Sequence, residues 1–181
     1  MNLSPTSIPD VYEVVLAPQL DWRGHFMRTY DSHIFAKLGL TTDWLQENES
    51  YTARRYTIRG LHFQHPPYSE TKLVRVVRGA ILDVFVDLRT QSATFRRWGI
   101  LEVSAERHNM VYIPRGLAHG FCTLVDDCIV SYKVDEVYHP DAEGGVRWDD
   151  PALGITWPSR TPTLSDRDRA LPSLDDVTLL F

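Results

Sequence analysis

Three ionisable side chains occupy positions in otherwise apolar runs that alternate as β-strands do. Lys72, Asp83 and Tyr132 each share a strand face with valine, isoleucine or phenylalanine residues two positions away. Burying a charged group without a partner is costly, so the three together predict a polar cavity inside a barrel. The alternatives are structural: Lys72 reaches solvent at a strand end, Tyr132 fills core space, and Asp83 pairs with a cation.

Two histidines lie in glycine-containing segments that flank those runs. His62 belongs to Arg59-Gly60-Leu61-His62-Phe63-Gln64, and His119 lies in the segment from Pro114 to Phe121. Histidine titrates near neutral pH, so it suits the removal and return of protons, and glycine lets the backbone approach a ligand. Each histidine could be structural by itself, but their positions favour one site shared with Lys72 and Tyr132.

Short strands must position these side chains. Six β-rich runs separated by Gly, Pro, Asp or Asn predict an all-β sandwich or barrel, and a double-sheet jelly roll closes such a set with few exposed edges. Arg78-Gly79 indicates a tight hairpin between the first two runs. A short peripheral helix is expected from Asp31 to Leu38, capped by Asp31 or Ser32 and ended by Gly39. The runs are Lys72 to Val77, Ile81 to Leu88, Gly99 to Val103, Asn109 to Ile113, Gly120 to Leu124 and Cys128 to Val134.

Composition favours one globular domain over residues 1–181. The 181 residues are 43% hydrophobic and contain no internal repeat or linker-like segment, and only the termini look loose. The absence of a signal peptide or a membrane-spanning run makes a cytoplasmic location the default.

Cys122 and Cys128, in runs expected to be neighbouring strands, are interpreted as core thiols. The net charge of −5 argues against nucleic-acid binding, although a local arginine pocket could accept a phosphate.

The ordered motifs along the chain resemble those of the nucleotide-sugar epimerases that make dTDP-rhamnose, the dTDP-4-dehydrorhamnose 3,5-epimerase family. Several motifs in the right order are a stronger signal than any one of them. The motifs that carry the resemblance are Arg59 to Gln64, Lys72-Leu73-Val74-Arg75, Asp83 to Asp87, Ile113 to Gly116, Ala118 to Phe121, Tyr132-Lys133, and Trp148 to Pro158, with Asp21, Arg23 and Gly24 upstream and Leu164-Ser165 and Asp168 downstream.

The resemblance implies a cupin-like jelly roll (a double-stranded β-helix), a homodimer, and an isomerase that uses no metal and no organic cofactor. The implied substrate is dTDP-4-keto-6-deoxyglucose. Its carbons 3 and 5 lie next to the ketone, so each C–H can be removed to form an enolate that is reprotonated on the opposite face. Such a reaction needs a base, an oxyanion stabiliser and an acid.

By the resemblance, His62 is the base, Asp168 orients its ring, Lys72 stabilises the oxyanion, and Tyr132 is the acid on the other face. The resemblance also implies the substrate-binding residues. Asp83 and His119 would support the sugar hydroxyls and Lys72, and Arg23 and Arg59 would bind the diphosphate. Gln46 and Asn48 would hold the base and sugar, Tyr138 would stack on thymine, Glu143 would be a further contact, and Arg167 stands where the family has lysine.

Two features depart from the family pattern. Arg28 stands where the family has a glutamate, which reverses a charge in the ligand-binding set. The segment from Gln46 to Arg59 is about one residue longer than usual. These departures leave open a mono-epimerase that acts at carbon 3 or carbon 5 alone, on a related 4-keto nucleotide sugar.

Other classes remain as alternatives. Pro114-Arg115-Gly116 with His119 resembles half of a metal-cupin signature, and His62, His65 and Glu70 could be ligands, although Gln64 stands where a second histidine is needed. A non-catalytic sugar-nucleotide binding module would have the same pocket but no need for the full proton-transfer set. The resemblance also implies the dimer, and Val11 to Leu16 could add to a partner's sheet.

Overall fold

The chain forms two facing antiparallel β-sheets, described by a computed structural model for residues 1–178 and 181. Two of the residues of the predicted domain, 179 and 180, lie outside the described residues. The strands are β1 (Asn2–Pro5), β2 (Tyr12–Val15), β3 (Gln19–Asp21), β4 (Gly24–Phe26), β5 (Gln46–Thr52), β6 (Ile58–Gln64), β7 (Lys72–Arg78), β8 (Ala80–Asp87), β9 (Trp98–Ser104), β10 (Asn109–Ile113), β11 (Leu117–Thr123), β12 (Cys128–Val134) and β13 (Glu143–Gly145).

One sheet has six strands in the order β1-β2-β10-β7-β12-β5, and the other has five in the order β13-β6-β11-β8-β9. Strands β3 and β4 form a separate hairpin. Val74 and Val130 of the six-stranded sheet pack in one core cluster with Ile81, Phe85 and Phe121 of the five-stranded sheet. The inward faces deduced from strand alternation are therefore correct, and the predicted all-β jelly roll with short peripheral helices is confirmed.

The two α-helices in the described part of the chain are short: α1 (Ser32–Lys37) and α2 (Asp166–Arg169). Helix α1 is the predicted one. The Asp31 carboxylate accepts hydrogen bonds from the backbone N–H groups of His33 and Ile34, and Gly39 follows at φ +70°. Among the described residues, no helix has the length and apolar character needed to cross a bilayer.

The predicted hairpin at Arg78-Gly79 is wrong. Strand β7 pairs with β10 and β12, whereas β8 pairs with β9 and β11, so the two belong to different sheets. At Gly79 the chain passes from one sheet to the other with φ +87°. Cys122 and Cys128 consequently lie on different sheets instead of neighbouring strands, and both are buried free thiols, as expected.

The N-terminus is better ordered than the sequence suggested. Asn2–Pro5 pairs with Tyr12–Val15 residue by residue, and the other edge of Tyr12–Val15 pairs with β10. Both edges of this strand are thus occupied within its own chain. The expectation that this segment adds to a partner's sheet is wrong, because it has no free edge to offer.

Candidate active site

A cavity of ≈ 520 Å³ opens between the two sheets. Its walls combine apolar side chains from the core with a concentration of polar and charged groups. Eleven of the residues singled out from the sequence line it: Gln46, Asn48, Arg59, His62, Lys72, His119, Tyr132, Tyr138, Glu143, Arg167 and Asp168. The structure therefore gathers into one site residues that are more than a hundred positions apart in the chain.

The two histidines lie side by side on neighbouring strands of one sheet. His119 on β11 is the register partner of His62 on β6. The strands approach closely because Gly60 and Gly120 meet there: a Cβ on Gly60 would lie 2.5 Å from the Gly120 Cα. Gly60 also has φ +122°, a conformation that side-chain-bearing residues rarely adopt. The glycine seen in the sequence thus sets the position of the histidine two residues later.

His62 forms a dyad with Asp168. The ring Nε2 lies 2.7 Å from Asp168 Oδ1, and Asp168 is only 4% exposed. The carboxylate is fixed by helix α2, where the Ser165 hydroxyl accepts a hydrogen bond from the Asp168 backbone N–H at the helix start. Burial acts to raise the pKa of Asp168, but the hydrogen bond with His62 and other contacts outweigh it and hold the pKa below its usual value. Asp168 therefore stays ionised and can stabilise a protonated imidazole.

A second dyad lies behind the first. His119 Nε2 is 2.8 Å from Asp83 Oδ2, and the Asp83 side chain is completely buried. Its other oxygen, Oδ1, has no hydrogen-bond partner among the described residues. Burial raises the pKa of Asp83 despite the opposing effect of His119. Asp83 therefore supports His119 from behind and does not itself line the cavity.

Lys72 and Tyr132 form the opposite wall. The Lys72 ammonium lies 5.8 Å from the centre of the Tyr132 ring and pairs with the Glu70 carboxylate. Burial raises the pKa of Tyr132, and the negative charge of Glu70 raises it further. The sequence reasoning considered Glu70 only as a metal ligand. Glu70 lies just before β7, outside the strand, so strand alternation gave no signal that it pairs with Lys72.

At the mouth of the cavity a chain of polar contacts joins three segments. The Tyr138 hydroxyl donates to Glu143 Oε2 at 2.6 Å, and Glu143 Oε1 pairs with Arg167. The Tyr138 backbone N–H donates to Gln46 Oε1 at 3.1 Å. Arg59 donates through Nε to the Thr52 hydroxyl at 3.0 Å. This end therefore presents guanidinium groups, an amide and an aromatic ring together.

Arg23 and Arg28 lie outside the cavity of their own chain. Arg23 is on the hairpin of β3 and β4, where its side chain is 71% exposed and pairs with Asp21. The Arg28 side chain is 67% exposed and pairs with Asp31. Their predicted contact with a diphosphate and ligand is thus not made within a single chain.

Of the residues considered as metal ligands, His62 is paired with Asp168. Gln64 uses its amide to donate to the backbone carbonyls of Tyr68 and Val137. His65 packs edge-on against Phe63 at 5.0 Å, and Glu70 pairs with Lys72. Within residues 1–178 and 181, no group of three or more His, Cys, Asp or Glu side chains is arranged to hold a metal ion.

Comparison with known proteins gives a consistent result. The family model for dTDP-4-dehydrorhamnose 3,5-epimerase matches residues 5–176. A protein of that name from Sinorhizobium fredii is 43% identical over 162 residues, which cover 89% of this chain and 83% of the relative. The crystal structure of the Bacillus anthracis enzyme of that name, with TDP and PPi bound, superimposes with a TM-score of 0.93 at 46% identity and covers 96% of this chain and 99% of that one.

A 3′-monoepimerase from Streptomyces bikiniensis, in complex with dTDP-quinovose, is also similar. It has a TM-score of 0.88 and 36% identity over 94% of this chain and 87% of that one. With a family match that spans nearly the whole sequence, and with the dyad, lysine and tyrosine of the cavity in place, this chain belongs to the dTDP-4-dehydrorhamnose 3,5-epimerase family.

Proposed function

We propose that the protein inverts carbons 3 and 5 of dTDP-4-keto-6-deoxyglucose, by forming an enolate at each carbon and reprotonating it from the opposite face. One observation carries the proposal: His62 and Tyr132 stand on different sheets across a single cavity. A sugar held between the sheets has one face toward the imidazole and the other toward the phenol. That arrangement is what inversion of a carbon centre requires.

In this mechanism His62 removes the proton next to the ketone, and Asp168 stabilises the imidazolium that forms. The Lys72 ammonium stabilises the oxyanion as negative charge develops on the ketone oxygen. Tyr132 delivers the new proton from the other side, and its raised pKa keeps the phenol protonated near neutral pH. His119, with Asp83 behind it, donates to a sugar hydroxyl.

The nucleotide occupies the mouth of the cavity. Arg59 and Arg167 bind the diphosphate, since a guanidinium group matches paired phosphate oxygens. Arg167 exchanges Glu143 for phosphate when the ligand enters. Tyr138, a residue that is 53% exposed, stacks on thymine, while Gln46 and Asn48 contact the base and sugar.

The active form is a homodimer in which the β3–β4 hairpin reaches the partner's cavity. Three large apolar side chains project from this hairpin and its turn: Leu20 is 79% exposed, Trp22 93% and Phe26 69%. Exposed apolar groups clustered this closely are typical of an interface. Seating the hairpin on a partner would bring Arg23 to the diphosphate, and Arg28 would approach with it.

Residues 1–181 act as one epimerase domain without a metal or organic cofactor, because the proton-transfer groups are all side chains of this chain. The two buried free thiols favour a reducing compartment, and we place the enzyme in the cytoplasm. Full turnover in the presence of EDTA is the expected result. Loss of activity on chelation, restored by a divalent metal, would revive the metal-dependent alternative.

The test is proton NMR of the protein with dTDP-4-keto-6-deoxyglucose in deuterated water, following carbons 3 and 5 separately. Loss of both signals is expected. The similarity to the 3′-monoepimerase makes a mono-epimerase the second candidate, which predicts loss at one carbon only. No loss at either carbon would sink both and favour a binding module or another sugar, with Arg28 the first residue to examine.

A further inference from the structure

The cavity holds one acidic side chain that the mechanism leaves without a role. Glu70 lies just before β7 and pairs with Lys72, and the two side chains are only 13% and 12% exposed. A pair this shielded is a weak source of net stability, because the cost of desolvating both charges offsets much of their attraction. Its presence beside the reacting groups therefore calls for a functional explanation.

We propose that Glu70 is a positioning residue that fixes the Lys72 ammonium against the reacting ketone and shields Tyr132 from the positive charge of that ammonium. This inference rests on the proposed epimerisation and names the group that balances its oxyanion stabiliser against its acid. Glu70 touches Lys72 and acts on the substrate only through Lys72 and Tyr132.

The geometry explains why such a balance is needed. Lys72 on β7 lies diagonally across from Tyr132 on β12, whose register partner is Val74. An ammonium 5.8 Å from the ring centre favours the phenolate, which cannot deliver a proton. Without a counter-charge, the group that stabilises the enolate would therefore weaken the acid that completes the reaction.

Other charged groups in the cavity do not supply this balance. Burial raises the pKa of Tyr132 and Glu70 raises it further, whereas Arg59 lowers it. The inner side of β5, the strand beside β12, contributes only amides and a hydroxyl, from Gln46, Asn48 and Ser50. The remaining ionisable groups on the surrounding elements are His62 on β6, His119 on β11, Glu143 on β13, and Arg167 and Asp168 on α2. Asp83 on β8 also interacts with the Lys72 charge, but burial raises the pKa of Asp83 and favours its neutral form.

Two substitutions separate the two effects of Glu70. Glu70→Gln keeps the shape and a hydrogen-bond acceptor for Lys72 but removes the charge, whereas Glu70→Ala removes both. In Glu70→Gln we expect the alkaline limb of the pH profile for inversion at carbon 5 to move to lower pH by about half a unit or more, because the phenol loses a negative neighbour. The KM of Glu70→Gln for the nucleotide sugar stays within about twofold of the wild-type KM.

In Glu70→Ala we expect, in addition, that kcat at neutral pH falls by about tenfold or more, because Lys72 loses its position.

Glu106→Gln is the matched control, since Glu106 is exposed in the β9–β10 turn, and it should behave as the wild type. A second measurement needs no substrate. Ultraviolet titration of phenolate absorbance, as the difference between each protein and its Tyr132→Phe counterpart, isolates Tyr132. Its midpoint should lie at lower pH in Glu70→Gln than in the wild type.

The outcomes separate the inference from the function on which it rests. Suppose that the wild type is active, that Glu70→Gln has the same pH profile and the same Tyr132 midpoint as the wild type, and that Glu70→Ala keeps the wild-type kcat. These results would overturn the role of Glu70 and leave the proposed epimerase function intact. A wild type that exchanges neither hydrogen would overturn the proposed function, and the role of Glu70 in it as well.

Discussion

Two histidine–aspartate pairs with nearly the same geometry differ in the pKa of their carboxylates, because the surroundings of the two carboxylates differ. Asp168 has its pKa lowered, since hydrogen bonds to the carboxylate outweigh burial, whereas burial raises the pKa of Asp83. The ionised Asp168 can orient the His62 ring and stabilise the imidazolium that forms in the proposed mechanism. With its pKa raised, Asp83 can keep its proton and donate it to His119 Nε2, which would leave His119 Nδ1–H to donate to a sugar hydroxyl.

At the residue scale, we expect His62→Ala to remove hydrogen exchange at both carbons 3 and 5, because no enolate forms without the base. The expected loss in rate is about a hundredfold to ten-thousandfold, as measured by NMR in deuterated water. Binding of dTDP should remain close to that of the wild type, since His62 lies away from the mouth. Near-normal exchange in this variant would remove His62 from the mechanism.

At the scale of elements, strand alternation predicted β10 and β12 to the residue and β7, β8, β9 and β11 to within one to three residues at each end. Strands β1, β3, β4, β6 and β13 were not predicted, and neither was β5. Its seven residues are polar on both faces, because its inner face lines the cavity and its outer face meets solvent. A strand that serves a ligand site lacks the apolar face on which strand prediction depends.

The candidate site was predicted better than the pairing of the strands. Strand alternation and residue type identified four of the side chains in the cavity, His62, Lys72, His119 and Tyr132, because chemistry restricts which residues can serve there, and the family resemblance supplied the other seven. Sequence could not show that β7 and β8 lie on different sheets, because alternation gives the face of a strand but not its neighbours. It also could not assign Glu70 to Lys72, since several cations were available as partners.

Gly60 provides a prediction at this scale. We expect Gly60→Ala to lower the free energy of unfolding by about 1–3 kcal/mol or more, because φ is +122° and the added Cβ would lie 2.5 Å from the Gly120 Cα. Urea denaturation followed by fluorescence measures the change. Gly154→Ala is the control: φ is +60° there, but nothing lies within 4 Å of the new Cβ, so the loss should be smaller. Equal losses in both variants would mean that the contact with Gly120 is unimportant.

At the scale of the whole molecule, the proposed mechanism divides the reaction between the two sheets. The five-stranded sheet carries His62 and His119, and the six-stranded sheet carries Lys72 and Tyr132. The face-to-face packing of a jelly roll thus becomes a device for approaching one sugar from two sides. The proposed dimer adds a third contribution, the arginine-bearing hairpin of the partner.

Mixing two inactive variants tests that contribution. In homodimers of a single variant every site carries the substitution. We therefore expect Arg23→Ala to have a raised KM and His62→Ala to be inactive. After unfolding and refolding as a mixture, about a quarter of the sites should have an intact His62 and the partner's intact Arg23, so activity returns. Size-exclusion chromatography with light scattering checks that dimers have formed. A mixture no more active than the sum of its parts would show that each cavity is served by its own chain.

The central claim is that the base and the acid act from opposite faces, and Tyr132→Phe with proton NMR in deuterated water tests it most directly. We expect this variant to retain wash-out of the hydrogen at carbon 5, since His62 and Lys72 still form the enolate, while losing most of the inverted product at that carbon. Unimpaired inversion at carbon 5 in Tyr132→Phe would contradict the account, because the proton would then come from another group.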